Sequence, residues 1–223
     1  MASLLGSALR LHGGMDRWQR VSLIRARLLA HRMPPAEDVW NLFDLQASTR
    51  LPVVCLEHRS PDGLISSYEN GSLAFYGHSG QRLATPDLSG THGRLDDDVR
   101  TVFGLSGFIW LALNAPFILA TSGFDPQVVE PSGSKRRGRL CVLSPEPLGG
   151  RARPLIAAFA SSGLLRALHQ RADGAGGPET TSVPTEYVLE RGLLVARRHR
   201  MRLRRSGEQP SHLNLMIEAI TLG

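Results

Sequence analysis

The sequence predicts a mainly β fold of the α+β kind, a curved antiparallel sheet wrapped around one apolar helix, and three observations predict it. About ten short segments alternate apolar and polar residues, the period of half-buried strands. Turn residues separate many of them at hairpin spacing. A single uncharged run of twenty-four residues, Thr101 to Phe124 (TVFGLSGFIWLALNAPFILATSGF), interrupts them in mid-chain. That run is long enough to cross a bilayer. Its contents argue against lipid: Gly104, Ser106, Gly107, Asn114 and Pro116 dilute it, and no second span is present to satisfy the amide of Asn114 or the backbone freed by Pro116. Burial inside the protein's own sheet is the expectation, with a partner interface as the remaining alternative.

Taken in order, residues 2–12 form a short apolar helix closed by Gly13-Gly14, where glycine supplies the left-handed cap. His12 reads there as a helix-end cation, and Trp18 as a plug at the edge of the core. Val21 to Met33 reads as a strand stopped by Pro34-Pro35. Trp40 to Thr49, Pro52 to His58, Leu64 to Tyr68 and Leu73 to Tyr76 follow as strands, the last two joined through Asn70-Gly71. Asp96, Asp97 and Asp98 open the apolar helix, expected over about 95–121, because carboxylates favour the positive end of the helix dipole. Val99, Val102, Phe103, Ser106, Trp110, Leu113 and Phe117 recur at three- and four-residue steps, so this helix is enclosed. Pro116 should kink or restart it after Asn114. Strands return at Gln127 to Glu130, Arg139 to Leu143, Pro154 to Ala160, Leu164 to Gln170, Glu186 to Glu190, Leu193 to Leu203 and Leu213 to Ile220. Ser161-Ser162-Gly163 and Arg191-Gly192 read as tight turns, and Gly174 to Pro178 as a loop.

At 223 residues the whole chain, 1–223, is expected to form one domain. The start, MASLLGSALRLHGG, shows no basic region before its apolar patch and no small-residue cleavage site, so a cytoplasmic location is expected. Cys55 and Cys141 lack metal or redox spacing and read as reduced packed thiols. The net charge is +6, yet of 26 basic residues all but Lys135 are arginine, a bias typical of high-GC coding rather than of nucleic-acid recognition.

No Gly-rich phosphate loop follows a strand, and no zinc-protease helix, paired-cysteine motif or G-x-S-x-G elbow occurs. No cofactor and no metal are therefore expected. What remains is the composition of an apolar cavity with a few polar groups. On the strand 193–203, Val195, Arg197, His199, Met201 and Leu203 share one face, and Ala196, Arg198, Arg200, Arg202 and Arg204 the other. The arginine face belongs to solvent, so His199 and Met201 point inward. Either His199 sits at the rim or it offers a hydrogen bond to a ligand. Tyr68 and Tyr187 carry hydroxyls on inward faces, and Trp40, Trp110 and Phe117 supply aromatic wall. Each reads as core or as cavity lining. Asn114 either caps the broken helix or points into the cavity.

Four stretches carry a resemblance: LHGGMDRWQRV, FIWLALNAPFILA, RPLIAAFASSGLLRALHQRADGAGG and EYVLERGLLVARRHRMRLRR. They resemble an actinobacterial family of unassigned activity, which in turn resembles the half-barrel lipoprotein carriers, where a curved sheet grips a helix around an apolar cavity. More weakly, the chain is similar to cofactor-free cyclases of macrolide polyketide pathways, which fold a polyene for cycloaddition. These resemblances, together with an interior that has no cofactor motif, lead to the expected function: a cofactor-independent cyclase or isomerase acting on an apolar, polyketide-like metabolite. Tyr68, Asn114 and His199 would polarise a carbonyl or hydroxyl, and Trp40, Trp110, Phe117, Tyr187 and Met201 would bind the substrate. The alternative is a non-catalytic carrier or sensor of a lipid or apolar small molecule, and a peripheral membrane or protein-interaction module using the Arg198 to Arg204 face ranks last. The expected partner is that small molecule, with a homodimer as an option. No nucleic acid and no integral membrane association are expected.

Overall fold

A computed structural model describes residues 4–33, 40–59, 63–70, 72–83, 97–121, 127–129, 139–143, 154–170, 179–204 and 209–223. The segment 174–178 and residues 135–138 of the basic cluster lie outside them. Helix α1 spans Leu4–Leu11 and α2 Met15–Trp18. Six strands follow: β1 (Leu23–Met33), β2 (Asn41–Ser48), β3 (Val53–His58), β4 (Ile65–Glu69), β5 (Ser72–Tyr76) and β6 (Arg82–Leu83). Helices α3 (Asp97–Gly104) and α4 (Ser106–Asn114) and a 3-10 turn at Phe117–Ala120 come next. Seven more strands follow among the described residues: β7 (Gln127–Val129), β8 (Arg139–Leu143), β9 (Pro154–Phe159), β10 (Leu165–Gln170), β11 (Glu179–Glu190), β12 (Leu193–Arg204) and β13 (Ser211–Leu222).

All thirteen strands join one sheet, in the order β6-β5-β4-β3-β2-β1-β13-β12-β11-β10-β9-β8-β7, and every pair is antiparallel. The mainly β architecture expected from the alternation is therefore present. The order has a simple logic: the first six strands step outward from the centre to one edge, and the last seven step inward from the other edge. Only β1 and β13 are neighbours without being consecutive. The segment carrying α3, α4 and the 3-10 turn links the two edge strands.

That segment is not one helix over 95–121. Leu105 leaves helical geometry, with φ −93° and ψ 3°, and separates α3 from α4, while Pro116 ends the second helix ahead of the 3-10 turn. The unbroken apolar stripe concealed the first interruption. Every described residue of α4 except Gly107 is buried, as are Phe117, Ile118 and Leu119. Phe103 meets Phe43 of β2 and Phe75 of β5 edge-on, at centroid distances of 5.7 and 5.6 Å. A methyl group added to Gly107 would lie 2.7 Å from the Tyr68 ring of β4, so glycine lets that ring lie directly on the helix. No helix among the described residues is long and apolar enough to cross a membrane.

Strand β11 begins seven residues before the expected Glu186, because Pro184 masks it in the sequence. β10 pairs with β11 only through Thr180 to Ser182, so Pro184 lies past that ladder, and it stands opposite His199 in the ladder with β12. The pairing of β12 with β13 runs from Leu203 back to Arg198 and stops. Beyond it the Arg197 guanidinium donates to the carbonyls of Ile217 and Glu218 at 3.1 Å. Arg197 thus spans the split between two strands, rather than pointing inward as strict alternation requires.

The N-terminal segment occupies the same split. The Leu194 amide donates to the His12 carbonyl at 3.0 Å, the His12 Nδ1 lies 3.0 Å from the Leu194 carbonyl, and the Leu165 amide reaches His12 Nε2 at 3.4 Å. Gly13 makes this approach possible. At φ +111° an alanine Cβ would collide with the Gly192 carbonyl and come within 3.0 Å of Leu193 Cα. Gly13→Ala should therefore lower stability by about 1 to 3 kcal/mol, read as a shifted urea midpoint with an unchanged slope.

Candidate functional site

Where β10, β11 and β12 face the end of α4, the described residues leave a hollow of about 10 Å³, room for roughly one water. Trp18, Leu113, Phe117, Leu165, Tyr187, Val195 and His199 are among its lining residues. Trp18 of α2 stacks on Phe117 with centroids 4.7 Å apart and planes 8° from parallel. His12 meets Tyr187 at 5.5 Å and 74°, an edge-on contact. The Tyr187 hydroxyl donates to the Leu165 carbonyl at 2.6 Å, and burial raises its pKa above the ordinary tyrosine value.

His199 is the polar member of this wall. It is 4% exposed, and its Nδ1 lies 3.0 Å from the Ser182 hydroxyl, the cross-strand neighbourhood set by the β11–β12 register. Burial pushes its pKa down to about 4, against a weaker opposite pull from a hydrogen bond with the backbone of Ala196. The ring is therefore neutral at ordinary pH. His12, 1% exposed, is also shifted down by burial, with its Leu194 contact opposing. It is a buried strand bridge and not the helix-end cation its position suggested.

The structure divides the sequence-predicted residues into groups. Phe117, Tyr187 and His199 meet at the hollow. Met201, 2% exposed, lies two residues further along the inward face of β12. Tyr68, Trp110 and Asn114 instead join α4 to the opposite wing of the sheet. Trp110 Nε1 donates to the Ser48 carbonyl at 2.6 Å, and Asn114 Nδ2 donates to the Trp110 carbonyl at 2.8 Å and to Ser48 at 3.4 Å. Asn114 thereby ties the helix end to the end of β2, and its Oδ1 is buried with no hydrogen-bond partner among the described residues. Trp40 is 38% exposed and stacks on His31 at 4.9 Å, apart from the lining of the hollow. Trp18, Leu165 and Ser182 were not singled out as site residues in the sequence. Trp18 showed only as a core plug, and the other two look like any inward strand position.

A second concavity, about 400 Å³, lies on the opposite face of the sheet between Arg25, Arg27, Asp44, Gln46, Glu57 and Thr221. Arg27 makes ion pairs there with Asp44 at 3.9 Å and Glu218 at 3.6 Å. It is a charged surface groove, unsuited to an apolar molecule. Among the described residues no group of three or more His, Cys, Asp or Glu could hold a metal ion.

No protein-family model matches the chain, and no curated protein matches it in sequence. Solved structures do match its fold. A LolA superfamily protein from Nitrosomonas europaea is 12% identical with a TM-score of 0.54, over 99% of this chain and 92% of that one. A DUF1329 family protein from Desulfovibrio piger is 10% identical with a TM-score of 0.53, over 98% and 91%. A domain attributed to outer membrane lipoprotein sorting in Vibrio parahaemolyticus is 9% identical with a TM-score of 0.51, over 93% and 89%. At these identities the likeness is one of fold. The large open antiparallel sheet with few helices is LolA-like, as the lipoprotein-carrier resemblance implied.

Proposed function

We propose that the protein is a non-catalytic binder or carrier of an apolar molecule, held between the end of α4 and strands β10 to β12. The observation that carries this reading is the hollow itself: aromatic and aliphatic walls with one neutral imidazole as a polar handle. At about 10 Å³ it is closed on its own side chains, so a ligand enters by parting the Trp18–Phe117 stack from the strands. The reading takes the sheet as a half-barrel gripping the helical segment. In support, β4 and β10 both reach α4 although they stand seven places apart in strand order. In a flat sheet that is about 34 Å, some three helix diameters. The lipoprotein-sorting fold neighbour points the same way.

The cyclase reading has less behind it. Tyr68 and Asn114 stand on the far side of α4 from His199, so the three polar groups do not converge on one reacting carbonyl. The test is titration of the purified chain with cis-parinaric acid, alongside native mass spectrometry for retained lipid. Binding should saturate at one site, and Ala112→Val, which crowds the hollow from a residue of α4 that lines it, should weaken it at least tenfold while circular dichroism stays native. A chain that retains no lipid and leaves the probe's fluorescence unchanged sinks the reading.

A further inference from the structure

Large apolar side chains exposed among the described residues are few, and three of the five stand at one end of the sheet. Leu11 closes α1, Leu51 lies in the β2–β3 turn and Leu189 stands near the end of β11, at 41%, 60% and 71% exposure. Contacts join these three places. The Leu194 amide donates to the His12 carbonyl, and Leu189 pairs across the hairpin with Leu194. Arg50 Nη2 donates to the Gln19 carbonyl at 3.0 Å, which fixes the β2–β3 turn against α2. Each leucine has an exposed arginine beside it: Arg10 next to Leu11, Arg50 next to Leu51, and Arg191 two residues after Leu189. Arg17 and Arg20 of the α2 region add two more, against Asp16, Glu69 and Glu190. Among the described residues no ion pair holds any of these five guanidinium groups.

We propose that this end of the molecule docks on an anionic lipid surface. Three separate apolar tips on different elements do not make a groove for a peptide; they suit insertion among headgroups, where the partner is laterally fluid. A guanidinium beside each tip meets lipid phosphate while the leucine passes below it. The surface lies beside the hollow, because Tyr187, two residues before Leu189 on β11, and Trp18, next to Arg17 on α2, both line that hollow. An apolar molecule can therefore pass from the lipid surface to the hollow without crossing bulk water. This loading role rests on the carrier reading above; the docking surface itself does not.

The experiment is co-sedimentation of the full chain with phosphatidylcholine vesicles, with and without phosphatidylglycerol, at low and high salt. The chain should pellet with the anionic vesicles only, and less at high salt. Leu51→Ser with Leu189→Ser should lower partitioning roughly tenfold, and Arg191→Glu should do likewise. These positions are exposed, so circular dichroism should stay native. Arg202→Glu, exposed on the outer face of β12, is the control and should change nothing. Absence from the anionic pellet overturns the proposal. So does binding that the leucine changes leave intact, or that Arg202→Glu weakens equally. Vesicle binding by a chain that takes up no parinaric acid would sink the carrier reading alone. Uptake of the probe without vesicle binding would sink the docking surface alone.

Discussion

Trp110→Ala should cost about 3 to 5 kcal/mol of stability and leave probe binding at the hollow nearly unchanged in whatever fraction stays folded. The indole is 2% exposed, its Nε1 is bonded to the Ser48 carbonyl, and it is absent from the lining of the hollow. Removing it opens a void beside α4 and leaves the Ser48 carbonyl with only the longer Asn114 contact of the two side-chain bonds described. Trp110→Phe separates the two effects. It keeps most of the ring volume and loses only the hydrogen bond, so a smaller loss of about 1 to 3 kcal/mol is expected. Chemical denaturation of both variants checks this. If Trp110→Ala proves nearly as stable as the parent while probe binding collapses, Trp110 lines the ligand site and the site lies elsewhere along α4.

Acid should destabilise the fold well above the carboxylate range. A histidine with its folded pKa lowered from 6.5 to about 4 binds its proton more readily in the unfolded chain. The neutral-ring contribution to stability is therefore complete above pH 6.5 and fades as pH falls toward 4. For His199 the loss between pH 7 and pH 5 is on the order of 2 kcal/mol. His12, also shifted down, adds to it with the same sign. His199→Phe should cost about 1 to 3 kcal/mol at pH 7, because the buried Ser182 hydroxyl loses its partner. Its urea midpoint should then vary less with pH, so that the two proteins converge near pH 5. Parallel pH profiles for parent and variant would show that His199 is not the group responsible.

The strands were legible because one face of each is buried, which writes a period of two into the sequence; β12 from His199 onward reads correctly for that reason. Where strands part company, the period fails. Arg197 sits at such a point, and nothing local announces that its partner strand has left. The apolar run was legible as enclosed structure, but the break at Leu105 was not, since an apolar residue suits either side of it. The hollow was least legible of all. Its walls come from α2, α4, β10, β11 and β12, and whether inward side chains leave room or fill it depends on packing across segments far apart in the chain. Trp110 and Phe117 look alike in the sequence and serve opposite sides of the helical segment.

The placement of β1 beside β13 has a consequence for how the chain is made. The middle of the sheet joins residues nearly 200 positions apart, with Ile24 opposite Leu222. During synthesis both wings can assemble from neighbouring hairpins, but the seam between them cannot close until the last strand leaves the ribosome. Until then two apolar half-sheets each present a raw inner edge, a template for pairing with other nascent chains. Folding should be slow for a domain of this size, as expected when the decisive contacts are the most distant ones.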